Sequence, residues 1–173
     1  MTWRALRRNP AGLAGAAVLG AVCLSVLLAP LLAPGDPAEQ DLDRRLQPPA
    51  WAPGGTWRHP LGTDALGRDI LSRVLYGGRV SLLIGVVGVT LAGSLGLALG
   101  LAAGYVGGAA DAFIMRLADV QLAIPFILLA IGLIAAIGPN VRNLILVLGV
   151  TGWVVYARVI RAAVLGLRHR EFV

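Results

Sequence analysis

Three groups of residues hold the side chains from which chemistry could be built. His59, Asp64 and Asp69 fall close together and are the first candidates for a metal site. Their spacing matches no ligand motif, and the surrounding Pro- and Gly-containing stretch reads as a loop. Local hydrogen bonding is the better reading, with Asp64 closing a turn at Ala65, Leu66 and Gly67, and Arg68 and Asp69 pairing with neighbours. The second group is Asp111, Arg116 and Asp119. Asp111 suits the N-cap of a helix beginning at Ala112. Arg116 and Asp119 are three apart, which places them on one helix face and predicts an ion pair. The third group is Arg158 and Arg161, also three apart but inside an apolar stretch. Charges there must snorkel to an interface or find partners. They are read either as interface anchors or as contacts to acidic groups of a partner chain or a gate.

Other chemistries are excluded by residue type. All 15 basic residues are arginine, and without lysine neither a complete P-loop nor a Schiff base can form. The single Cys23 cannot make an intrachain disulfide, and its place in an apolar run suits a small hydrophobe. No Ser-His-Asp array, paired catalytic carboxylates or Cys/His cluster is present, so no catalytic, cofactor or metal residue is assigned. A net charge of +6 could suit nucleic acid, but the arginines are scattered at the flanks of apolar runs, so no nucleic-acid partner is expected.

The elements that position these groups are membrane spans. The chain is 57% hydrophobic with a mean hydropathy of +0.79, too apolar for a soluble domain of 173 residues. Between Arg79 and Asp111 lie 31 uncharged residues, enough to cross a bilayer. Within them Gly88, Ala92, Gly96, Gly100 and Gly104 recur every four positions. Such small-xxx-small ladders let another helix approach closely, and Gly96 and Gly100 are expected to be its tightest points.

Four spans are predicted, over about residues 11–33, 80–104, 120–137 and 143–167. Pro125 should kink the third. Three regions follow: a tail and first span (1–34), an outer loop with a short surface helix over about 69–76 (35–78), and a core of three spans (79–173). Turns are expected at 105–108 and 138–140. The first span is longer than a signal-peptide core and is read as retained. Arg4, Arg7 and Arg8 precede it, while Asp36 and Glu39 follow, which favours a cytoplasmic N-terminus.

The outer loop reads His59-Pro60-Leu61-Gly62-Thr63-Asp64, then Gly67-Arg68-Asp69, Ser72-Arg73, Tyr76-Gly77 and Arg79-Val80-Ser81-Leu82. Farther on come Gly104-Tyr105, Gly107-Gly108, Asp111, Met115-Arg116, Asp119, Pro125, Trp153, Tyr156-Ala157-Arg158, Arg161 and Arg170-Glu171-Phe172-Val173. This pattern strongly resembles permease subunits of the dipeptide/oligopeptide/nickel family of ABC importers, in particular the C-type member of the permease pair. The resemblance implies an all-α integral membrane protein of the type I importer fold, with four of the usual six transmembrane helices in this sequence. It implies a homologous sister permease, two cytoplasmic ATPase subunits, an extracytoplasmic solute-binding protein and a location in the cell membrane. Transport of peptides or a similar small solute, such as a nickel complex, would be driven by ATP hydrolysis in the partner chains.

The family's cytoplasmic docking helix normally follows residues like Glu171-Phe172-Val173, so the sequence is expected to be truncated. Arg116, Asp119, Arg158, Arg161 and Glu171 are its candidate inner gate or partner contacts. Two other readings stay open. An autonomous channel or secondary transporter would need polar groups at mid-membrane, which the second and third spans barely offer. A non-transporting scaffold accounts for the hydrophobicity but not for the loop motif.

Overall fold

The computed structural model describes residues 9–168. Their regular structure is all helical, with no strand among them and one isolated bridge between Thr63 and Asp69. Helix α1 runs Pro10–Leu27 and the short α2 Ala29–Leu32; α3 is Ile70–Val106, α4 Gly108–Ala123, α5 Phe126–Ile137 and α6 Val141–Arg168. The chain divides into two compact units, Met1–Leu82 and Leu83–Val173.

In the first unit, α1 starts on a local cap. The Asn9 side chain accepts from the N–H groups of Ala11 and Gly12, and Pro10 occupies the first turn, where a missing N–H costs nothing. Helix α1 is apolar on every side, and only 6% of its spanning window is buried within the chain. A helix hydrophobic all round belongs in lipid or among other helices. Its end meets α3: a Cβ on Gly78 would lie 2.6 Å from a methyl of Val26. Residues 33–69 form an irregular loop with one 3-10 turn, Leu42–Arg44.

Helix α3 departs from the sequence expectation. The short surface helix and the second span are one continuous helix of 37 residues. No Pro or helix-ending turn separates them, and the glycines at 77 and 78 are tolerated inside the helix. At 1.5 Å per residue it is about 55 Å long, well beyond an apolar core of about 30 Å.

The second unit contains the larger correction. The span expected over 120–137 is not one kinked helix. Helices α4 and α5 meet at 91°, with Ile124 and Pro125 between them. Pro125 cannot donate a backbone hydrogen bond, and its ring forces the preceding residue out of the helical region; Ile124 sits at φ −98°, ψ 126°. The 12 residues of α5 are too few to cross alone. Among all the described residues, three helices are long and apolar enough to span, or up to four if the bent pair is one span. Gly107 and Gly108, both at positive φ, turn the chain from α3 into α4. Between α5 and α6, the Asn143 amide donates to the carbonyls of Ile137 and Gly138 and closes the turn at 138–140. The buried core of the unit gathers Ala118 of α4 with Trp153, Val154 and Ala157 of α6.

Candidate functional site

The small-residue ladder of α3 lies along α6. A Cβ on Gly96 would stand 2.4 Å from Tyr156 Cβ and 2.7 Å from the Trp153 carbonyl; on Gly100 it would stand 2.7 Å from the Ala157 carbonyl. Gly104 faces Val164 at 2.8 Å, and Gly88 touches Leu148 at an ordinary 3.5 Å. Ala92 is buried and approaches Gly152. The relation is reciprocal, because Gly149 of α6 receives Leu91 of α3. Backbones this close gain dispersion contacts that bulkier residues would prevent. Gly85 and Gly93, off the ladder, have nothing within 4 Å. Beside the seam, an apolar groove of about 240 Å³ is lined by residues including Gly88, Ala92, Phe126, Leu148 and Tyr156.

At the end of the seam, arginines of α6 reach α4 and α3. Arg161 grips Asp111 with two parallel bonds, Nε to Oδ1 and Nη2 to Oδ2, each 2.5 Å. This bidentate fork is the strong geometry for guanidinium and carboxylate. Arg158 Nη2 donates to Asp119 at 2.5 Å in a more exposed pair. Arg168 Nη1 donates to the carbonyls of Gly104 and Tyr105, at 3.1 and 3.0 Å. It thereby satisfies carbonyls that the end of α3 leaves open.

Two local expectations fail here. Asp111 is not an N-cap: α4 starts at Gly108, and Asp111 lies in its first turn facing Arg161. Asp119 is held by Arg158 rather than by Arg116, a partner 39 positions away displacing the one three away. Glu171, together with Arg4, Arg7, Arg8, His169 and Arg170, falls outside the described residues.

A contact the sequence did not reveal lies deeper. Gln121 donates to the Thr151 carbonyl at 2.5 Å and accepts from the Trp153 indole N–H at 3.0 Å. One amide thus satisfies two polar groups of α6. The only trace in the sequence is that Gln121 is the lone polar residue in the run 120–137.

The loop motif forms a hydrogen-bonded knot at the start of α3. Thr63 accepts the Gln47 N–H at 2.9 Å and donates its hydroxyl to the Arg44 carbonyl. Gly62 and Gly67 have φ of 80° and 73°. A Cβ on Gly62 would come within 2.3 Å of the Gln47 carbonyl, and on Gly67 within 1.7 Å of the Asp41 carbonyl. Both positions therefore require glycine by conformation and by space.

Asp64 accepts from the N–H groups of Leu66 and Arg68 and from the Arg68 and Arg73 guanidiniums. Desolvation works against its charge most strongly, but the Arg68 and Leu66 amides and the Arg68 side chain together outweigh it. They hold the carboxyl at about 2. His59 Nδ1 donates to Asp69 at 3.0 Å, and the other Asp69 oxygen accepts the Ser72 N–H at 2.7 Å, capping α3. The buried Ser72 hydroxyl accepts in turn from the Gly35 N–H. Among the described residues no group of three His, Cys, Asp or Glu is placed to hold a metal.

Comparison with known proteins places these features in a lineage. Residues 1–49 match the N-terminal TM domain of oligopeptide transport permease C, and residues 96–173 match the binding-protein-dependent transport system inner membrane component. The chain belongs to this permease family. The helices within residues 96–173 are accordingly part of a type I importer permease domain, in a family of inner-membrane components. It is 41% identical over 171 residues to the di/tripeptide transport system permease protein DppC of Pseudomonas aeruginosa, covering 99% of this chain and 56% of that protein. It is 42% identical over 171 residues to the dipeptide transport system permease protein DppC of Haemophilus influenzae, covering 99% of this chain and 58% of the relative. The corresponding Escherichia coli K12 protein is 44% identical over 171 residues, 99% of this chain and 57% of the relative. The chain therefore spans somewhat more than half the length of these curated permeases.

Proposed function

We propose that this chain is a permease subunit of an ABC importer and forms part of a translocation path for dipeptides. The observation that carries the reading is similarity along 99% of the chain to permeases named for dipeptides or di/tripeptides. Those names favour a peptide over a nickel complex. The partners are a homologous sister permease, two cytoplasmic ATPases and an extracytoplasmic solute-binding protein. The N-terminus and the end of α6 lie in the cytoplasm, consistent with arginines before α1 and at the end of α6.

Transport in this reading is alternating access, with ATP hydrolysis elsewhere rocking two permease halves. The second unit contributes a lever that does not deform. The α3–α6 seam has no slack at Gly96 and Gly100, and the Arg161–Asp111 fork joins α4 to α6. A push arriving at the cytoplasmic end of α6 then moves α3 and α4 with it, rather than bending one helix. The outer-loop knot gives the opposite end of α3 a fixed attachment through Asp69 and Ser72.

The test is uptake of a labelled dipeptide in cells whose own C-type permease gene is deleted, using the gene that encodes this chain, with co-purification from the same membranes. Recovery of a sister permease and ATPases together with ATP-dependent uptake is expected. A chain that purifies without them and restores no uptake would reject the reading.

A further inference from the structure

The outer loop displays two indoles that the described residues leave largely uncovered. Trp51 is 73% exposed and Trp57 is 83% exposed. They flank the turn at Pro53, Gly54 and Gly55, and that turn is stiff. Ala52 N–H donates to the Pro49 carbonyl, Gly55 N–H to Ala52, and His59 N–H to Thr56, while Ala50 N–H reaches across to the Pro60 carbonyl. A Cβ on Gly55 would lie 2.0 Å from the Pro49 carbonyl. The indoles thus stand on a preorganised scaffold, so little conformational freedom is lost when they bind something. The loop's charge is also divided. Asp36, Glu39, Asp41 and Asp43 lie in its first part, whereas 44–63 contains no acid and includes Arg44, Arg45 and Arg58.

The tether of the loop limits what these indoles can meet. The loop is knotted to Asp69, Ser72 and Arg73 at the start of α3. Ser72 precedes Val80, where the charge-free run begins, by eight residues, or about 12 Å of helix. The headgroup layer beside the hydrocarbon is about 5–7 Å deep on each side. The attachment at Ser72 therefore lies no more than about 7 Å beyond that layer, and the segment before the loop continues from α1, which is long and apolar enough to span. Tryptophan favours this zone, where the ring is apolar and its N–H stays wet.

We infer that the tip carrying Trp51 and Trp57 seats in the phospholipid headgroup layer of the outer leaflet, with Arg58 beside the phosphates. It moors the loop, and through the loop the start of α3, to the bilayer surface. The inference needs only that the chain spans a bilayer, not that it imports peptides.

The experiment is nitroxide accessibility in the complex reconstituted into phosphatidylglycerol-containing bilayers. Labels are placed by Trp51→Cys, Trp57→Cys, Gln40→Cys and Val86→Cys in a Cys23→Ala background. Collision with lipid-soluble oxygen is compared with collision with an aqueous nickel chelate. Val86 reports on the span itself and should be dominated by oxygen, so failure of the membrane reading shows separately. Labels at 51 and 57 are expected at headgroup depth, several-fold less accessible to the chelate than the label at 40. Chelate accessibility equal to that at 40, or shielding from both reagents as in a protein contact, would overturn the inference. Without introduced cysteines, brominated lipid should quench the tryptophan emission of the unaltered chain more than that of Trp51→Phe/Trp57→Phe. Equal quenching would also overturn it.

Discussion

Arg161 and Asp111 are fifty residues apart in sequence and share two hydrogen bonds of 2.5 Å each, which fasten the start of α4 to the last third of α6. The pair is partly shielded, its side chains 33% and 21% exposed. Removing one partner leaves a half-buried charge without its counterpart, so Asp111→Asn should destabilise by more than the double change Asp111→Asn/Arg161→Gln implies. A coupling of about 1–2 kcal/mol is expected after allowing for solvent screening, as a double-mutant cycle in thermal unfolding of the detergent-solubilised complex would show. Arg161→Lys keeps the charge but loses the fork, and should recover less than half of the coupling. Strict additivity of the two single changes would mean that the fork does not hold these helices.

The seam predicts a contrast between neighbouring glycines. Gly96→Ala and Gly100→Leu both place atoms where α6 already stands, and should lower the yield of assembled complex and its melting temperature by several degrees. Gly93→Ala meets open space and should be neutral or stabilising by up to about 1 kcal/mol, since alanine favours a helix. Equal behaviour at 93 and 96, by size-exclusion yield and scanning fluorimetry, would contradict close packing at the ladder.

The Asp64 carboxyl gives the outer loop a defined acid limit. Its folded value of about 2 lies below the ordinary 3.8, so its contribution is complete above the ordinary value and is lost as pH falls through about 4 to 2. Protease resistance of residues 41–69 should be flat from pH 8 to about 5 and decline below 4. In Asp64→Asn that decline should be smaller, starting from a lower plateau. An unchanged acid profile in the variant would remove Asp64 from the account.

Gly67→Ala tests the knot directly. The substitution requires a positive φ from an L side chain and drives a methyl into the Asp41 backbone. A cost of more than about 2 kcal/mol, local to the loop, is expected. It should appear as rapid amide hydrogen exchange over 41–69 while exchange in α6 stays slow. Slow exchange in the loop of the variant would contradict the geometry.

The helical architecture was legible because bilayer-spanning segments announce themselves by composition alone. The four-residue period of small residues in α3 is visible in the same way, but nothing in the period says that α6 lies along it. What could not be read is instructive. The i, i+3 spacing of Arg116 and Asp119 describes a local opportunity, and tertiary structure offered Asp119 a different arginine. Pro125 announces a perturbation, yet the step from a kink to a 91° corner depends on what α4 and α5 pack against. Gln121 shows only as a misplaced polar residue until Trp153 and Thr151 come beside it. The loop motif offered residue types suited to turns, whereas the contacts of Gly62 and Gly67 with residues 41–47 are set by the chain folding back on itself.

Because the notches along α3 recur every four residues, about 6 Å of rise, the groove nearly repeats when shifted by one notch. Oily surfaces alone would distinguish poorly between neighbouring alignments, as with a zip fastened one tooth out. Arg161 and Arg168 break that degeneracy, because Asp111 and the last carbonyls of α3 occur only once. The polar end thus acts as an index pin: it adds modestly to cohesion but selects which of several similar alignments the two helices adopt.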